Sequence, residues 1–275
     1  MTSNGSCPIC DNYISDIEQK YNKYNLVKCV FCDMVYSSPH RSDINIYENS
    51  YKEQINSYGS YEIDQKIIMN NINLTWAQYQ LKKYFNIKSG KFLDVGCSTG
   101  MFISAFNKTG LNGFGIEPSQ AAVESIPSSI QKNVICGVLE SDSFSKGFFD
   151  LVTAWEVIEH LEDPGEFLQN VKRILKKDGT LALSCPNWNS PWEKTTTDIN
   201  RRPPFHLNYF TEKTLPKLLK KHGFKITVNK CKPIPWSEEL GRLKWILLPY
   251  SLVQSFLLNI KPNRLFIIAK LETDG

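Results

Sequence analysis

The stretch FLDVGCSTGMF, residues Phe92 to Phe102, decides the fold, because an apolar run leads directly into a glycine-spaced turn. The apolar run predicts a buried strand, and Gly96 and Gly100 bracket the tight turn that follows it. The next segment, MFISAFNKTG, predicts a helix that ends at Gly110. A helix that begins at such a turn directs its N-terminal amides at a ligand. We therefore predict a cofactor loop between a strand and a helix.

Alternating strand and helix patterns continue after this loop. The apolar segments GFGIE, NVICGVL, FFDLVTAW and GTLALSC predict four further strands, the last after a turn at Asp178 and Gly179. The segment GEFLQNVKRIL predicts an amphipathic helix, with its apolar residues on one face. Strands that alternate with helices indicate an α/β fold with a doubly wound parallel sheet.

The C-terminal part of the chain adds one helix, two strands and an insertion. TEKTLPKLLKKHGF predicts a helix from an N-cap at Thr211 to Gly223, and KITVN and RLFIIAKL predict the strands. Between these strands we predict an apolar insertion over about 233–262. Its apolar run, 245–258, is shorter than the about twenty residues that cross a bilayer. We interpret it as a cap over a pocket or a dimer contact, with peripheral membrane contact as the alternative.

Four of the eight cysteines are grouped near the N-terminus. Cys7 and Cys10 form one C-x2-C pair, and Cys29 and Cys32 form another. Two such pairs present four thiolates tetrahedrally, which predicts a structural Zn²⁺ with no open position for chemistry. Four unligated structural cysteines are the alternative interpretation. The Ser-, Asn- and Tyr-rich segment from 37 to 60 predicts an irregular linker, and apolar spacing from 64 to 85 predicts an amphipathic helix.

Length and charge limit the function classes. The chain has 275 residues and a formal net charge of +4, from 32 basic and 28 acidic residues. The length suits one large α/β domain with a small appendage, or two modest domains. The nearly even charge argues against a nucleic-acid coat, so we expect no nucleic-acid partner. Residues 1–6 lack the pattern of a signal peptide, so we predict a cytoplasmic protein with reduced cysteines.

The spacing of the glycine loop excludes two kinds of cofactor. A dinucleotide fingerprint requires glycines at the first, third and sixth positions, where this chain has Gly96, Ser98 and Met101. A phosphate-binding P-loop requires a lysine directly after its second glycine, but Met101 follows Gly100. Glu117 ends the second strand, where a carboxylate accepts both hydroxyl hydrogens of a ribose. The residues therefore indicate a cofactor that has a ribose without a 2′-phosphate.

Five segments together resemble the class I S-adenosylmethionine-dependent methyltransferases, in the branch of ubiquinone-biosynthesis and sugar methyltransferases. They are LDVGCSTG, GIEPS, GVLES, FDLVTAWEVIEHLEDP and LKKDGTLALSCPN, within about residues 90–224. The N-terminal CPIC and CVFCDMVYSSP resemble zinc knuckles that precede this domain in some methyltransferases. The resemblance implies a Rossmann-like seven-stranded sheet over 46–275 and a zinc-ribbon-like module with the start of a linker over 1–45. One departure is Ser98, where many members have glycine.

The resemblance also implies individual site residues. The loop would lie beside the methionine moiety, Leu139 and Glu140 would flank the adenine, and Trp155 and Glu156 would border the sulfonium and the acceptor. The cofactor-binding residues predicted in this way are Asp94, Gly96, Cys97, Ser98, Gly100, Glu117, Pro118, Leu139, Glu140, Trp155 and Glu156.

Two histidines are the candidate catalytic bases, because methyl transfer to a hydroxyl group needs a proton acceptor. His160 follows the fourth strand at its carboxyl end, where doubly wound sheets place ligands. His206 lies in a segment that resembles the acceptor side of the family, with Tyr209 and Asn187 as candidate neighbours. A structural role is the alternative for each histidine. We interpret the acidic residues around His160, from 156 to 163, as a solvated turn without a catalytic metal.

The leading hypothesis is O-methylation of a sugar, a sugar nucleotide or a related small molecule in polysaccharide or secondary-metabolite biosynthesis. A lipid or quinone methyltransferase at the inner face of the membrane is the nearest alternative. Ribosomal RNA methylation and a non-catalytic binding role are the others. The sequence does not select the acceptor, because loops whose shape it does not specify form the pocket.

Overall fold

The computed structural model describes residues 6–21, 23–43, 45–46, 48–49, 52–53, 81, 83–85, 89–232 and 263–272. Its strands are β1 Ser15–Tyr21, β2 Tyr24–Cys29, β3 Val35–Ser38, β4 Gly90–Val95, β5 Leu111–Glu117, β6 Val134–Cys136, β7 Phe149–Trp155, β8 Leu175–Pro186, β9 Asn208–Tyr209, β10 Phe224–Lys232 and β11 Arg264–Leu271. Its helices are α1 Met101–Asn107, α2 Gln120–Glu124, α3 Ser128–Gln131, α4 Pro164–Ile174, α5 Pro191–Thr195 and α6 Thr214–Lys221, with 3-10 turns at Ile158–His160 and Ile199–Arg201.

The larger sheet has seven strands in the order β10-β11-β8-β7-β4-β5-β6. Strands β6, β5, β4, β7 and β8 are parallel to one another, and β11 is antiparallel to both β8 and β10. The chain runs outward from β4 to β6 and returns to β7 on the other side of β4. Ligands of such sheets bind at the carboxyl ends of the strands where the order reverses. The predicted α/β fold with seven strands is confirmed.

Helix α4 shows how local sequence fixes an element beside this crevice. The Asp163 carboxylate accepts a hydrogen bond of 2.8 Å from the Glu166 amide, and Pro164 occupies the first turn. The apolar side chains on one face, Phe167, Leu168, Val171 and Ile174, are buried against the sheet. Full burial of each contributes about 1.5–3 kcal/mol, which holds α4 over β7 and β8.

The predicted element bounds need three corrections. NVICGVL forms only the three-residue strand β6. Asp178 and Gly179 lie inside β8, where the pairing with β7 jumps from Leu175 to Thr180 as an irregularity of the strand, so the predicted turn is wrong. Helix α6 begins at Thr214, after the predicted N-cap Thr211, although the Thr211 hydroxyl still accepts a 3.1 Å hydrogen bond from the Thr214 amide.

Several N-terminal and C-terminal predictions fall partly or wholly outside the described residues. The segment 37–60 is not wholly irregular, since β3 ends at Ser38 and residues 45–46, 48–49 and 52–53 are helical. Most of the helix predicted for 64–85 and the whole of 245–258 lie outside the described ranges. The domain boundary near residue 45 stays a prediction. Within the described part of the chain, no helix is long and apolar enough to cross a membrane.

The smaller sheet joins distant parts of the chain in the order β1-β2-β3-β9. The first three strands form antiparallel hairpins near the N-terminus, whereas β9 follows β8 by more than twenty residues. Met34 and Tyr36 are fully buried in the same core cluster as Phe210 and Leu215. The N-terminal hairpins are therefore packed onto the segment around β9 and α6.

Candidate functional site

The loop between β4 and α1 has a backbone shape that depends on three positive φ angles. They are 68° at Gly96, 50° at Ser98 and 75° at Gly100. The amides of Gly96 and Cys97 both donate to the Ile116 carbonyl oxygen, at 2.8 and 3.2 Å, so the loop folds back over β5. Ser98 adopts the left-handed region although it is not glycine, which costs on the order of 1 kcal/mol.

Glu117 anchors this loop from the end of β5. Its Oε2 accepts a 2.9 Å hydrogen bond from the Ser98 amide, and its Oε1 accepts a 3.0 Å bond from the Ser119 amide. The residue is only 4 % exposed, and burial raises the pKa of its carboxyl group. Each carboxylate oxygen has capacity for a second hydrogen bond. Glu117 is therefore held rigidly where it can also accept the two hydroxyl hydrogens of a ribose.

Asp94, Cys97 and Gly100 lie behind or beneath the loop. The Thr153 hydroxyl donates a 2.6 Å hydrogen bond to Oδ1 of Asp94, which is 2 % exposed, and burial raises the pKa of this carboxyl group to about 8. The Cys97 side chain packs into the core cluster beside α1. A Cβ atom at Gly100 would lie 2.9 Å from Cδ1 of Ile130. These residues support the shape of the loop, whereas its backbone forms the surface.

The raised pKa of Asp94 predicts that its contribution to stability falls with increasing pH. An acid whose pKa is raised on folding stabilises the folded state below its unfolded pKa and loses that contribution as pH rises through its folded pKa, here from about 3.9 to about 8. The expected slope in the free energy of unfolding is about −1 kcal/mol per pH unit across this window. Urea unfolding of the wild type and Asp94→Asn at pH 5 and pH 8 checks this. Equal pH dependence in the two proteins would refute it.

Three further residues predicted to bind the cofactor, Pro118 and the adenine-side pair Leu139 and Glu140, lie in the segments that follow β5 and β6. Cys136 of β6 pairs with Glu117, so the segment after β6 begins next to it. In that segment the Leu139 carbonyl oxygen accepts a 3.1 Å hydrogen bond from the Asn170 amide group, and the exposed Glu140 is held by a 2.9 Å bond from its amide to Ser143. Pro118 leads into Ser119, which caps α2. The roles of Pro118, Leu139 and Glu140 stay predictions.

Trp155 and Glu156 lie at the carboxyl end of β7, as predicted. The Trp155 ring is parallel to Phe266, with centroids 6.1 Å apart, and its indole N–H is buried without a hydrogen-bond partner among the described residues. Glu156 has a φ of 55°, and its Oε1 accepts a 2.8 Å hydrogen bond from the Ser184 hydroxyl. An orphaned buried donor beside a strained residue is typical of a ligand site.

A buried ion network on the same edge was not found from the sequence. Nε of Arg264 lies 2.8 Å from Oε2 of Glu156, and Nη1 of Arg264 lies 3.1 Å from Oε1 of Glu193. Arg201 also contacts Glu193, at 2.6 Å. The only sequence signal was an arginine at the start of an apolar strand, since the partners come from three distant segments. The network holds the partly exposed Glu156 carboxylate in place at the carboxyl end of β7.

The two candidate bases are adjacent. The rings of His160 and His206 are edge to face, with centroids 4.7 Å apart. Nδ1 of His160 donates a 2.8 Å hydrogen bond to the Phe205 carbonyl oxygen, which fixes its tautomer. Burial lowers the pKa of both imidazoles, and for His206 the neighbouring His160 lowers it further. Both are therefore neutral at pH 7, the protonation state that a base requires.

The interpretation of residues 156–163 as a solvated acidic turn is wrong for Glu159. Glu159 is 1 % exposed in the 3-10 turn, because this turn packs under β9, and burial raises the pKa of its carboxyl group. Neither carboxyl oxygen has a hydrogen-bond partner among the described residues, and Oε1 lies 4.0 Å from Nε2 of His160. One ligand atom from each of Glu159, His160 and His206 lies within 4.8 Å of the others, so the group could hold a metal ion.

The four N-terminal cysteines have the geometry of a closed metal site. Sγ of Cys7 lies 3.4 Å from Sγ of Cys32, and Sγ of Cys10 lies 3.5 Å from Sγ of Cys29. All four sulfur atoms lie within 4.8 Å of one another. Sulfur atoms around a tetrahedral zinc are about 3.8 Å apart, since each Zn–S bond is about 2.3 Å. The cysteines therefore fit a structural Zn²⁺, with the Asn12 side-chain amide 3.3 Å from Sγ of Cys10 as an outer hydrogen bond.

Comparison with known proteins assigns the family. Residues 69–228, more than half of the chain, match the family model described as a methyltransferase domain. The chain belongs to this methyltransferase family. Together with the sheet order, this match confirms the predicted class I S-adenosylmethionine-dependent methyltransferase domain.

The methyltransferase domain is similar to curated relatives over part of its length. It is 31% identical over 113 residues to a ubiquinone biosynthesis O-methyltransferase of Bradyrhizobium sp., covering 39% of this chain and 44% of that protein. It is 27% identical over 157 residues to a protein of the same name from Rickettsia bellii, covering 55% of this chain and 64% of that protein. The matches thus span between about half and two thirds of these relatives.

Solved structures share the fold of the methyltransferase. An S-adenosylmethionine-dependent methyltransferase of Archaeoglobus fulgidus matches with a TM-score of 0.53 and 20% identity, over 72% of this chain and 94% of that chain. A chain from the complex of the Haloferax volcanii Trm112 methyltransferase activator with a methyltransferase matches with a TM-score of 0.59 and 14% identity, over 81% and 98% of the two chains. At these identities the likeness shows the fold alone.

Proposed function

We propose that this chain transfers a methyl group from S-adenosylmethionine to a hydroxyl group of a small molecule. The observation that carries the proposal is Glu117, held by the amides of Ser98 and Ser119 below a loop that has no dinucleotide or P-loop pattern. The family match and the polar crevice at the end of β7 support it. When bound, S-adenosylmethionine supplies a methyl group activated on a sulfonium.

The residues of the chain would then bind S-adenosylmethionine, orient the reacting groups and remove the proton from the acceptor hydroxyl group. Glu117 would hold the ribose, the loop from Gly96 to Ser98 would hold the methionine moiety, and Trp155 and Glu156 would border the reacting groups. His160 and His206 lie close enough together for either neutral imidazole to take the hydroxyl proton as the oxygen attacks. Because alignment supplies much of the rate of such a displacement, the rigid support of Glu156 by Ser184 and Arg264 matters as much as the base.

The acceptor we favour is a sugar or sugar nucleotide. Its support is the partly exposed Glu156 carboxylate, which the buried Arg264 and the Ser184 hydroxyl hold in place at the end of β7 and which can accept a hydrogen bond from a hydroxyl group. A quinone or related lipid is the second candidate, because relatives bear the name ubiquinone biosynthesis O-methyltransferase. The two classes differ in polarity, and a panel of acceptors separates them.

The test is a methyl transfer assay with deuterated-methyl S-adenosylmethionine and two acceptor sets, sugar nucleotides and dihydroxylated quinone precursors. We expect mass spectrometry to show one labelled methyl group on a sugar nucleotide and none on the quinone precursors. Transfer only to a quinone precursor would move the acceptor to the second class. No transfer to any acceptor by a protein that binds S-adenosylmethionine would indicate a non-catalytic binding role and overturn the proposal.

The lowered pKa values of the two histidines predict that methyl transfer activity is retained at mildly acidic pH. The imidazole must be neutral to accept the proton, and burial lowers its pKa below the usual 6.5. Activity should therefore stay constant as pH falls through 6.5 and decline only below it. Measurement of kcat from pH 5 to pH 8 checks this. A decline centred above 6.5 would show that these buried imidazoles do not set the profile.

The proposal includes a structural Zn²⁺ at Cys7, Cys10, Cys29 and Cys32, supported by the sulfur distances. Elemental analysis of the purified protein should give one zinc per chain, and Cys29→Ser should lower that ratio.

A further inference from the structure

The four-cysteine module, residues 6–21 and 23–38, is joined to the candidate base by backbone hydrogen bonds. Its second cysteine pair shapes the hairpin that leads into β3, since the Cys29 amide donates to the Met34 carbonyl oxygen at 2.9 Å. Strand β3 then pairs with β9, with Tyr36 opposite Asn208. The Ser37 amide donates to the Leu207 carbonyl oxygen at 2.9 Å. The residue after His206 is thus bonded directly to the module.

The other side of the same segment is bonded to the 3-10 turn that carries His160. The Leu207 amide donates to the Glu159 carbonyl oxygen at 2.8 Å, and the Asn208 side-chain amide donates to the Leu161 carbonyl oxygen at 2.7 Å. Phe205 accepts the Nδ1 hydrogen bond of His160. Residues 205–209, the acceptor-side segment, therefore lie between the module and the histidine turn, and their position sets the distance between the two imidazoles.

Helix α6 ties the cysteine knuckles to the same region a second time. Nζ of Lys217 donates to the Cys32 carbonyl oxygen at 3.3 Å, and Nζ of Lys221 donates to the Ile9 carbonyl oxygen at 2.8 Å. Both lysines thus bond to carbonyl groups within the cysteine pairs or beside them. Helix α6 follows β9 after only a short turn. A change at the cysteine pairs therefore reaches the acceptor-side segment through β3, which pairs with β9, and through α6, which bonds to the cysteine pairs.

We propose that the four-cysteine module is a positioning element of the acceptor half of the site, and that metal binding to its cysteines holds His206 against His160. The inference rests on the proposed function only for the chemistry that the histidines perform. The cofactor loop is held by other contacts, because within the described residues its amides bond to Glu117 and to the Ile116 carbonyl oxygen of β5 and not to the four-cysteine module. Loss of the metal should therefore loosen the acceptor-side segment and leave S-adenosylmethionine binding nearly unchanged.

The test compares the zinc-loaded full chain with the same protein after chelation, and needs no acceptor. Hydrogen exchange should become on the order of tenfold faster at the amides of Leu207 and Asn208, and stay unchanged in β4. The imidazole C2–H signals of His160 and His206, assigned with His→Gln variants, should shift on chelation and return when zinc is added back. Calorimetry should give S-adenosylmethionine affinities within about twofold of each other.

A pair of lysine substitutions tests the inference if chelation unfolds the chain. Lys217→Met with Lys221→Met removes the hydrogen bonds from α6 to the carbonyl groups of Cys32 and Ile9, together with the ion pair of Lys221 with Asp11, and should speed exchange at residues 205–209. Lys220→Met is the matched control and should not, because Lys220 is equally exposed on the same helix but its side chain has no hydrogen bond to the four-cysteine module among the described contacts. Unchanged exchange and unchanged histidine signals in folded, metal-free protein would overturn the inference, as would a purified chain without metal at its cysteines. Failure of methyl transfer alone would overturn only the proposed function.

Discussion

Glu117→Ala is expected to weaken S-adenosylmethionine binding at least about 100-fold, because two hydrogen bonds from the ribose to a carboxylate are lost, each worth about 1.5–3 kcal/mol. The substitution also removes the acceptor of the Ser98 and Ser119 amides. The loop would then lose the bond that stabilises the positive φ of Ser98. Isothermal titration calorimetry with S-adenosylmethionine measures the change.

Two further variants separate ribose binding from general damage to the fold. Glu117→Gln keeps the shape and one carbonyl acceptor, so it should bind more weakly than the wild type and more tightly than Glu117→Ala. Glu124→Ala changes an exposed carboxylate at the end of α2 and should bind like the wild type. Affinity of Glu117→Ala within twofold of the wild type would contradict the assignment of the ribose site.

Replacement of a candidate base is expected to lower kcat by about 100-fold to 10,000-fold with little change in S-adenosylmethionine affinity. The variants are His160→Gln and His206→Gln, measured in single turnovers with the acceptor identified by the panel. Glutamine keeps a polar side chain but cannot take the proton. The residue that acts as the base is the one whose loss also removes the acid limb of the pH profile.

The control for the histidine variants is His222→Gln. His222 is the C-cap of α6 and lies beside Gly165, away from the pair. The His222→Gln protein should therefore transfer methyl groups at the wild-type rate. If both His160→Gln and His206→Gln keep kcat within about threefold of the wild type, neither histidine is the base, and alignment alone accounts for the rate.

The cofactor side was predictable from the sequence because its signals are local. A strand, a glycine turn and a carboxylate at the next strand end lie within thirty residues, from Phe92 to Glu117. Parallel strands with this spacing bring the glycine loop and Glu117 to the same edge of the sheet, and the hydrogen bond from the Ser98 amide to Glu117 confirms that the loop contacts this carboxylate. The four cysteines were equally clear, since each C-x2-C pair closes its own turn.

The acceptor side was not predictable, because it depends on contacts between segments that are far apart in the chain. The burial of Glu159 follows from the packing of β9 against the 3-10 turn, which no local pattern shows. Arg264 contacts Glu156 across more than one hundred residues, through the antiparallel pairing of β11 with β8. The addition of β9 to the N-terminal sheet likewise depends on tertiary packing, since its two residues have no strand signal of their own.

The most direct test of the central claim is calorimetric titration of the wild-type chain with S-adenosylmethionine, NAD and Mg²⁺-ATP in parallel. The loop geometry and Glu117 predict one binding site for S-adenosylmethionine with a dissociation constant in the micromolar range, about −8 kcal/mol, and no measurable binding of the other two. Binding of NAD or ATP in that range, or no heat from S-adenosylmethionine at millimolar concentration, would contradict the account.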